Sequence, residues 1–183
     1  MTLPDEIPVG GGTTTETALR LFDSLEVAEA AFMTGRWKGT EIPSGHQMDG
    51  LLSATGWYGK MFIDSENVHP LLFRTSDNKG LYAVNPKHIP LDINYPKSKA
   101  LGTVMKMARP ALETHESKAR LRMMEYRGKV SAAMAYDEKP IFDCFRKIDE
   151  NRVMGAMDQK GVLQPYFFML ERDDKTTLEL HFM

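Results

Sequence analysis

One carboxylate stands out of place in this sequence. Asp143 lies inside the apolar run Ile141-Phe142-Asp143-Cys144-Phe145-Arg146. A carboxylate buried in such surroundings needs a partner, or its pKa rises. Arg146, Arg120, Lys60 and Tyr126 are the candidate partners. Two kinds of chemistry follow. The first is a structural ion pair on a half-exposed strand. The second is proton transfer in a closed cavity, the arrangement that a cofactor-independent isomerase or cyclase needs. In that second case Asp143 is the acid or base, and Tyr126 or Lys60 the electrophile. The neighbouring acids Asp137, Asp149 and Asp158 fall at strand ends, where aspartate commonly caps turns.

Other reactive residues form no pattern. His46, His69, His88, His115 and His181 show neither i,i+4 helical spacing nor a cysteine neighbour, so no metal is expected. Cys144 is the single cysteine. It can form no internal disulfide and has no histidine nearby in sequence to activate it. There is no G-x-S-x-G, no Walker loop and no G-x-G-x-x-G, and the Gly10-Gly11-Gly12 run does not follow a strand.

The elements that must position these groups can be read from periodicity. Thr13 and Glu16 have capping-box spacing, and Leu19, Phe22, Leu25, Ala28 and Phe32 recur on one helical face. Residues 15–34 therefore read as one kinked helix or two short ones, with Asp23 and Glu26 capping the second and Gly35 closing it. Gly35 to Glu41 reads as a strand. Residues 51–64 turn from helix to strand at Trp57, and Leu71–Arg74 and Leu81–Val84 flank a hairpin turn at Asp77–Gly80. The Pro- and Asn-rich stretch 85–99 is the internal seam. Residues 100–112 suggest a short helix ended by Pro110. From residue 119 onward, turn signals separate five short strands, the last at Thr176–Phe182, in an antiparallel meander. Such a sheet hides its edges most economically by closing into a barrel.

Bulk properties narrow the function classes. The 183 residues carry 23 Lys+Arg against 25 Asp+Glu, a balance that disfavours a nucleic-acid partner. No apolar run approaches the roughly 20 residues of a membrane helix, and residues 1–14 read as a flexible leader rather than a secretory signal. With the lone cysteine, this suggests a cytoplasmic protein built as one barrel domain over residues 15–183. A homo-oligomer stays open. Met105, Met107, Met123, Met124, Met134, Met154, Met157 and Met169 fall in or near expected core segments. Methionine suits surfaces that accept varied apolar ligands.

The most specific local feature is Gly35-Arg36-Trp37-Lys38-Gly39. A tryptophan near the start of the first long strand can plug one end of a small barrel, with Arg146 or Arg172 against its indole and the flanking glycines giving the backbone room. Together with Gly50-Leu51-Leu52, Trp57-Tyr58-Gly59-Lys60 and Pro70-Leu71-Leu72-Phe73, this stretch resembles the GXWXG family. Tyr126-Arg127-Gly128-Lys129, Tyr136-Asp137, Pro140-Ile141, Asp143, Phe145-Arg146, Asp149, Gly155, Met157-Asp158 and Tyr166-Phe167-Phe168 resemble the domain of unknown function that usually follows it. The resemblance spans roughly residues 20–172, with parts at about 20–95 and 118–180. It transfers no catalytic residue. A wider resemblance, to calycins (lipocalins, fatty-acid-binding proteins and nitrobindins), implies an antiparallel barrel with a small-molecule cavity. Its nitrobindin branch would imply haem held by His181; otherwise no cofactor is expected.

The expected fold is thus mostly β: a calycin-like antiparallel barrel with an N-terminal helical segment. The expected function is binding of a small apolar or amphipathic molecule, or its isomerisation or cyclisation. Trp57, Tyr58, Lys60, Phe73, Tyr126, Asp143, Arg146, Tyr166 and Phe168 are the expected lining or polar anchors, with Lys60 or Arg146 meeting a carboxylate or enolate of the ligand. Trp37, Gly35 and Gly39 are structural. Alternation leaves open whether Ile141, Asp143 and Phe145 point inward, or Phe142, Cys144 and Arg146.

Overall fold

A computed structural model describes residues 12–90 and 98–182. The leader expected over residues 1–14 lies outside these apart from its last three residues, and the seam at 85–99 lies partly outside. The chain runs through α1 (Thr15–Ser24), β1 (Glu26–Val27), a 3-10 turn at Ala30–Met33, β2 (Gly35–Glu41), α2 (Leu51–Thr55), β3 (Trp57–Phe62), β4 (Val68–Arg74) and β5 (Gly80–Val84). After a 3-10 turn at Pro86–His88 come α3 (Lys99–Leu112), β6 (Glu113–Thr114), β7 (Ala119–Tyr126), β8 (Lys129–Tyr136), β9 (Ile141–Lys147), β10 (Arg152–Gln159), β11 (Tyr166–Arg172) and β12 (Glu179–Leu180).

Several boundaries differ from the sequence reading. The cap of α1 is Thr14, whose hydroxyl accepts from the Thr17 N–H at 3.2 Å, not Thr13. The helical pattern over 15–34 breaks after Ser24, because Asp23 caps no second helix. Its carboxylate instead takes both guanidinium arms of Arg127 at 2.6 and 2.7 Å, which holds its pKa below the usual value. The backbone can then turn outward into β1. Helix α3 does not end at Pro110 but continues to Leu112, where the Glu113 N–H bonds back to the Arg109 carbonyl. The strand expected over Thr176–Phe182 shrinks to Glu179–Leu180, which pairs parallel with β5 and so does not extend the antiparallel meander.

Eight strands close an antiparallel barrel in the order β2-β3-β4-β7-β8-β9-β10-β11. The meander from β7 to β11 returns to β2 through a register running from Phe168 opposite Glu41 to Arg172 opposite Trp37. At the other junction β4 meets β7 only where Val68 faces Ala119. Beyond that point β4 turns to pair with β5.

Both faces of most barrel strands are apolar because both are covered. Inward residues such as Trp37, Phe62, Phe145, Val153, Tyr166 and Phe168 form one core inside the barrel. The alternate residues Cys144, Met154, Ala156 and Phe167 pack outward against Phe22 and Ala18 of α1. On the far side, Tyr58, Leu72 and Leu81 pack beneath Phe182 of the C-terminal segment. This settles the phase of β9: Ile141, Asp143 and Phe145 point inward, while Cys144 and Arg146 point toward α1. No helix among the described residues is long and apolar enough to cross a membrane.

His69 illustrates what this double covering costs. It lies in β4 with its ring 4.3 Å from that of Phe182, and its Nδ1 has no hydrogen-bond partner among the described residues. Burial lowers its pKa from 6.5 to about 4. Across that window the unfolded chain binds more protons than the folded one, so stability is full above pH 6.5 and falls as pH drops toward 4. The loss amounts to at most about 3 kcal/mol. Thermal unfolding followed between about pH 7 and pH 4 should show a steeper fall in Tm for the natural sequence than for His69→Phe. Equal slopes would show that His69 does not titrate in this way.

Candidate functional site

Three side chains meet in the bore of the barrel. Lys60 stands on β3, Tyr136 on β8 and Asp143 on β9. Strands β3 and β9 are four strands apart whichever way the barrel is followed, so Lys60 and Asp143 reach toward each other across its width. Lys60 Nζ donates to Asp143 Oδ2 at 2.8 Å, with both side chains at most 3% exposed. It also donates to the Pro70 carbonyl at 3.2 Å and the Tyr136 hydroxyl oxygen at 3.4 Å. The Tyr136 hydroxyl donates to the same Oδ2 at 3.5 Å. Burial, and then the negative charge of Asp143, pushes the Tyr136 phenol well above its usual pKa, so it stays protonated. Asp143 Oδ1 is buried with no hydrogen-bond partner among the described residues. The faces of Phe168, Trp57 and Tyr136 surround the Lys60 ammonium at 5.1, 5.5 and 5.7 Å, where their quadrupoles offset part of its lost hydration.

The pair divides the bore. Two residues further along each strand, Phe62 and Phe145 meet edge to face at 5.7 Å and fill the space. On the other side of the pair lies a cavity of about 280 Å³, near the low end of the roughly 300–1,000 Å³ typical of small-molecule sites. Trp57, Phe73, Ile141, Met157, Tyr166 and Phe168 form its wall. Its mouth is roofed by α2 and α3 through residues including Leu52, Leu101, Met105, Ala108 and Leu112. Glu41, at the end of β2, is buried and accepts from the Gly50 and Ser53 N–H groups at 2.7 Å each, which pins the N-terminus of α2 in place. Tyr166 turns its hydroxyl toward Glu41, and burial together with that carboxylate raises its phenol pKa.

A backbone irregularity gives Lys60 its direction. Strict alternation would send Trp57 and Lys60 to opposite faces. The register of β3 on β4 shifts on both sides of Gly59, a bulge that brings both side chains inward. Gly59 has φ 153°, and a Cβ there would lie 1.9 Å from the Trp37 carbonyl oxygen, so only glycine fits. Two other glycines give room to the cavity's rings. A Cβ on Gly39 would lie 2.0 Å from the Trp57 ring, and one on Gly155 would lie 2.3 Å from the Phe168 ring.

The expected site residues divide accordingly. Trp57, Lys60, Phe73, Asp143, Tyr166 and Phe168 line this cavity. Tyr58, Tyr126 and Arg146 do not. Tyr58 points outward, donates to Asp173 and stacks 5.2 Å from the Arg74 guanidinium. Tyr126 packs edge-on against Phe22 of α1 at 6.0 Å, and burial pushes its pKa up to about 12. Arg146, fully buried, donates to the Tyr126 and Phe145 carbonyls at 2.7 and 3.2 Å and covers the Phe22 ring at 4.7 Å. It can therefore neither partner Asp143 nor meet a ligand in the cavity. Tyr136, named in the sequence reading only for the family resemblance and not as a site residue, takes the place given there to Tyr126.

Trp37 lies apart from the cavity. Its indole donates to the Met33 carbonyl at 2.7 Å and stacks on Arg172, not Arg146, at 4.3 Å. Gly35 has φ 120° at the start of the same strand. Of the eight methionines read as cavity or core, only Met105 and Met157 line the cavity, joined by Met48, while Met107 and Met123 are exposed. Cys144 faces α1, and burial, with the charge of Asp143, pushes its thiol up to about 12, which makes it a poor nucleophile. His181 is exposed, its imidazole against Gly80, outside the cavity that a haem would occupy. No group of three or more His, Cys, Asp or Glu residues able to hold a metal occurs among the described residues.

Comparisons with known proteins place the site across two matched segments. Residues 20–78 match a family model described as GXWXG protein, and residues 117–172 match one described as Domain of unknown function (DUF4334). Lys60 belongs to the first segment, Tyr136 and Asp143 to the second. No curated protein matches the chain. A crystal structure of a protein from Thermomonospora curvata is 33% identical, covers 90% of this chain and 91% of that one, and superposes with a TM-score of 0.67.

The glycine contacts give a test of how the cavity is built. Gly39→Ala forces the Trp57 ring off its strand, as overpacked substitutions do at a cost of about 1–3 kcal/mol. The variant should unfold at lower temperature, and the displaced indole should change its fluorescence. An unchanged Tm and emission spectrum would contradict the close packing of Gly39 on Trp57.

Proposed function

Because this chain belongs to the family in which a GXWXG segment is followed by that domain of unknown function, we propose that its barrel binds one small, largely apolar molecule. The polar end of that molecule meets the Lys60–Asp143–Tyr136 group. The observation that carries this reading is the form of the cavity: apolar walls, a roof of two helices, and a buried ion pair for a floor. Apolar area supplies most of the affinity, and the floor sets the orientation. Incubation with 4-propylphenol followed by native mass spectrometry should give a one-to-one adduct. Ala108→Trp, which fills the mouth from α3, should weaken that binding at least about tenfold, the scale of a blocked apolar contact. An adduct equally strong in Ala108→Trp would place the ligand elsewhere and overturn the reading.

Asp143 Oδ1 favours a second reading, in which the cavity also isomerises its guest. This oxygen is buried and unpartnered among the described residues, beside a tyrosine that stays protonated. Asp143 removes the proton between the carbonyl and the alkene of a β,γ-unsaturated ketone. Once Asp143 holds that proton its carboxyl is neutral, and the Tyr136 hydroxyl or the Lys60 ammonium turns from it to stabilise the oxygen of the resulting dienolate. Asp143 returns the proton at the γ carbon, which leaves the conjugated ketone with atoms and charge balanced. Conjugation of a cyclic β,γ-unsaturated ketone, followed by ultraviolet absorbance, should be accelerated by the protein. It should drop at least about a hundredfold in Asp143→Asn and fall clearly in Tyr136→Phe. A ketone that binds without reacting faster than in buffer would refute this second reading and leave the first intact.

A further inference from the structure

The polar contacts at the cavity floor say what the ligand's polar group must be. An ammonium has three N–H donors. Those of Lys60 already have acceptors: Asp143 Oδ2 at 2.8 Å, the Pro70 carbonyl at 3.2 Å and the Tyr136 hydroxyl at 3.4 Å. Its charge is matched by the Asp143 carboxylate, and Arg146 lies on the other side of the strand. Among the described residues the cavity floor therefore offers no free cation to a carboxylate, in contrast to the anchor expected from the sequence; the other lysine of the lining, the half-exposed Lys139, donates to the Ile89 carbonyl at 2.9 Å. Asp143, which lines the cavity, holds an acceptor. Asp143 is 1% exposed, and its Oδ1 has no partner among the described residues. A buried carboxylate oxygen left in this state carries a desolvation penalty that a bound donor removes. The lining also holds an unpartnered donor in the Trp57 indole N–H; the Tyr166 hydroxyl, likewise without a hydrogen bond among the described residues, is turned toward Glu41. A hydroxyl group both donates and accepts, so it is the neutral group that matches this set. An amine would add a second positive charge beside Lys60 in an apolar space, which is unfavourable.

Resting on the binding reading above, we infer that the ligand is a neutral hydroxyl compound, an alcohol or a phenol on an apolar frame, whose O–H donates to Asp143 Oδ1. A carboxylate of the same shape is rejected. It would bring a second negative charge against Asp143 with no donor left on Lys60 to receive it.

Four matched probes test this on the unaltered protein by isothermal titration calorimetry: 4-propylphenol, 4-propylanisole, propylbenzene and 4-propylbenzoate. The phenol should bind at least about tenfold more tightly than the anisole, the scale of one charge-assisted hydrogen bond, and the benzoate should bind most weakly. Equal affinities for phenol, anisole and propylbenzene would overturn the inference and leave the apolar binding reading standing. A benzoate that binds more tightly than the phenol would overturn it in favour of anion capture by Lys60. If none of the four binds, the binding reading fails and this inference fails with it. A double variant gives an independent check. Lys60→Met with Asp143→Leu removes both charges together, which a barrel tolerates better than losing one. It should bind phenol and anisole alike, and a retained preference for the phenol would also overturn the inference.

Discussion

The ion pair between Lys60 and Asp143 is the constraint around which this barrel is arranged. Taking two charges out of water is expensive, and their mutual attraction repays the cost only where geometry and additional hydrogen bonds are good. Here the ammonium has a carbonyl, a phenol and three aromatic faces as well as the carboxylate. Removing one partner alone strands the other, at a cost of about 3–5 kcal/mol. The two residues stand on strands that never touch, so the pair links opposite walls of the barrel directly. On one side of it the bore is filled by Phe62 and Phe145; on the other it is open. The cavity thus exists where side chains stop and two helices take over as cover.

Much of the architecture could be read from residue order. The turn signals of the last third gave the meander, and the Gly-x-Trp-x-Gly spacing pointed to the first long strand of a barrel. Asp143 was conspicuous because a charge within an apolar run demands an explanation. What periodicity could not supply was direction. A strand covered on one face only alternates cleanly, but β9 is packed inside by Phe62 and outside by α1, so both of its phases look buried. Arg146 was misplaced for that reason: it satisfies the same pattern on the outer face. Tyr58 was misplaced by the bulge at Gly59, which gives Trp57 and Lys60 the same face at a spacing that alternation forbids. The role of Tyr136 is not legible because it depends on pairing across the barrel, and that of α3 because an apolar helix says nothing in sequence of what it covers.

The motif residues themselves act at one remove. Trp37 lies outside the cavity, held by Arg172 and the Met33 carbonyl. Gly39 matters because the ring of Trp57 rests where its side chain would be, and Gly155 serves Phe168 in the same way. Two absent side chains thus set the positions of two of the rings that face Lys60. The conspicuous part of the motif supports the site, and the ligand would touch residues drawn from elsewhere in the chain.

The closure of the barrel has a consequence for how the chain holds together. Strands β2–β4 come from the first matched segment and β7–β11 from the second. Both junctions that complete the ring, β11 on β2 and β4 on β7, join one segment to the other. Severed anywhere between residues 79 and 116, the chain would give two pieces, each an open sheet with two bare edges and half of the Lys60–Asp143 pair. Neither piece could satisfy its own backbone or its own buried charge. Each carries what the other lacks, so the barrel has the logic of a split protein whose halves regain the site only by recombining.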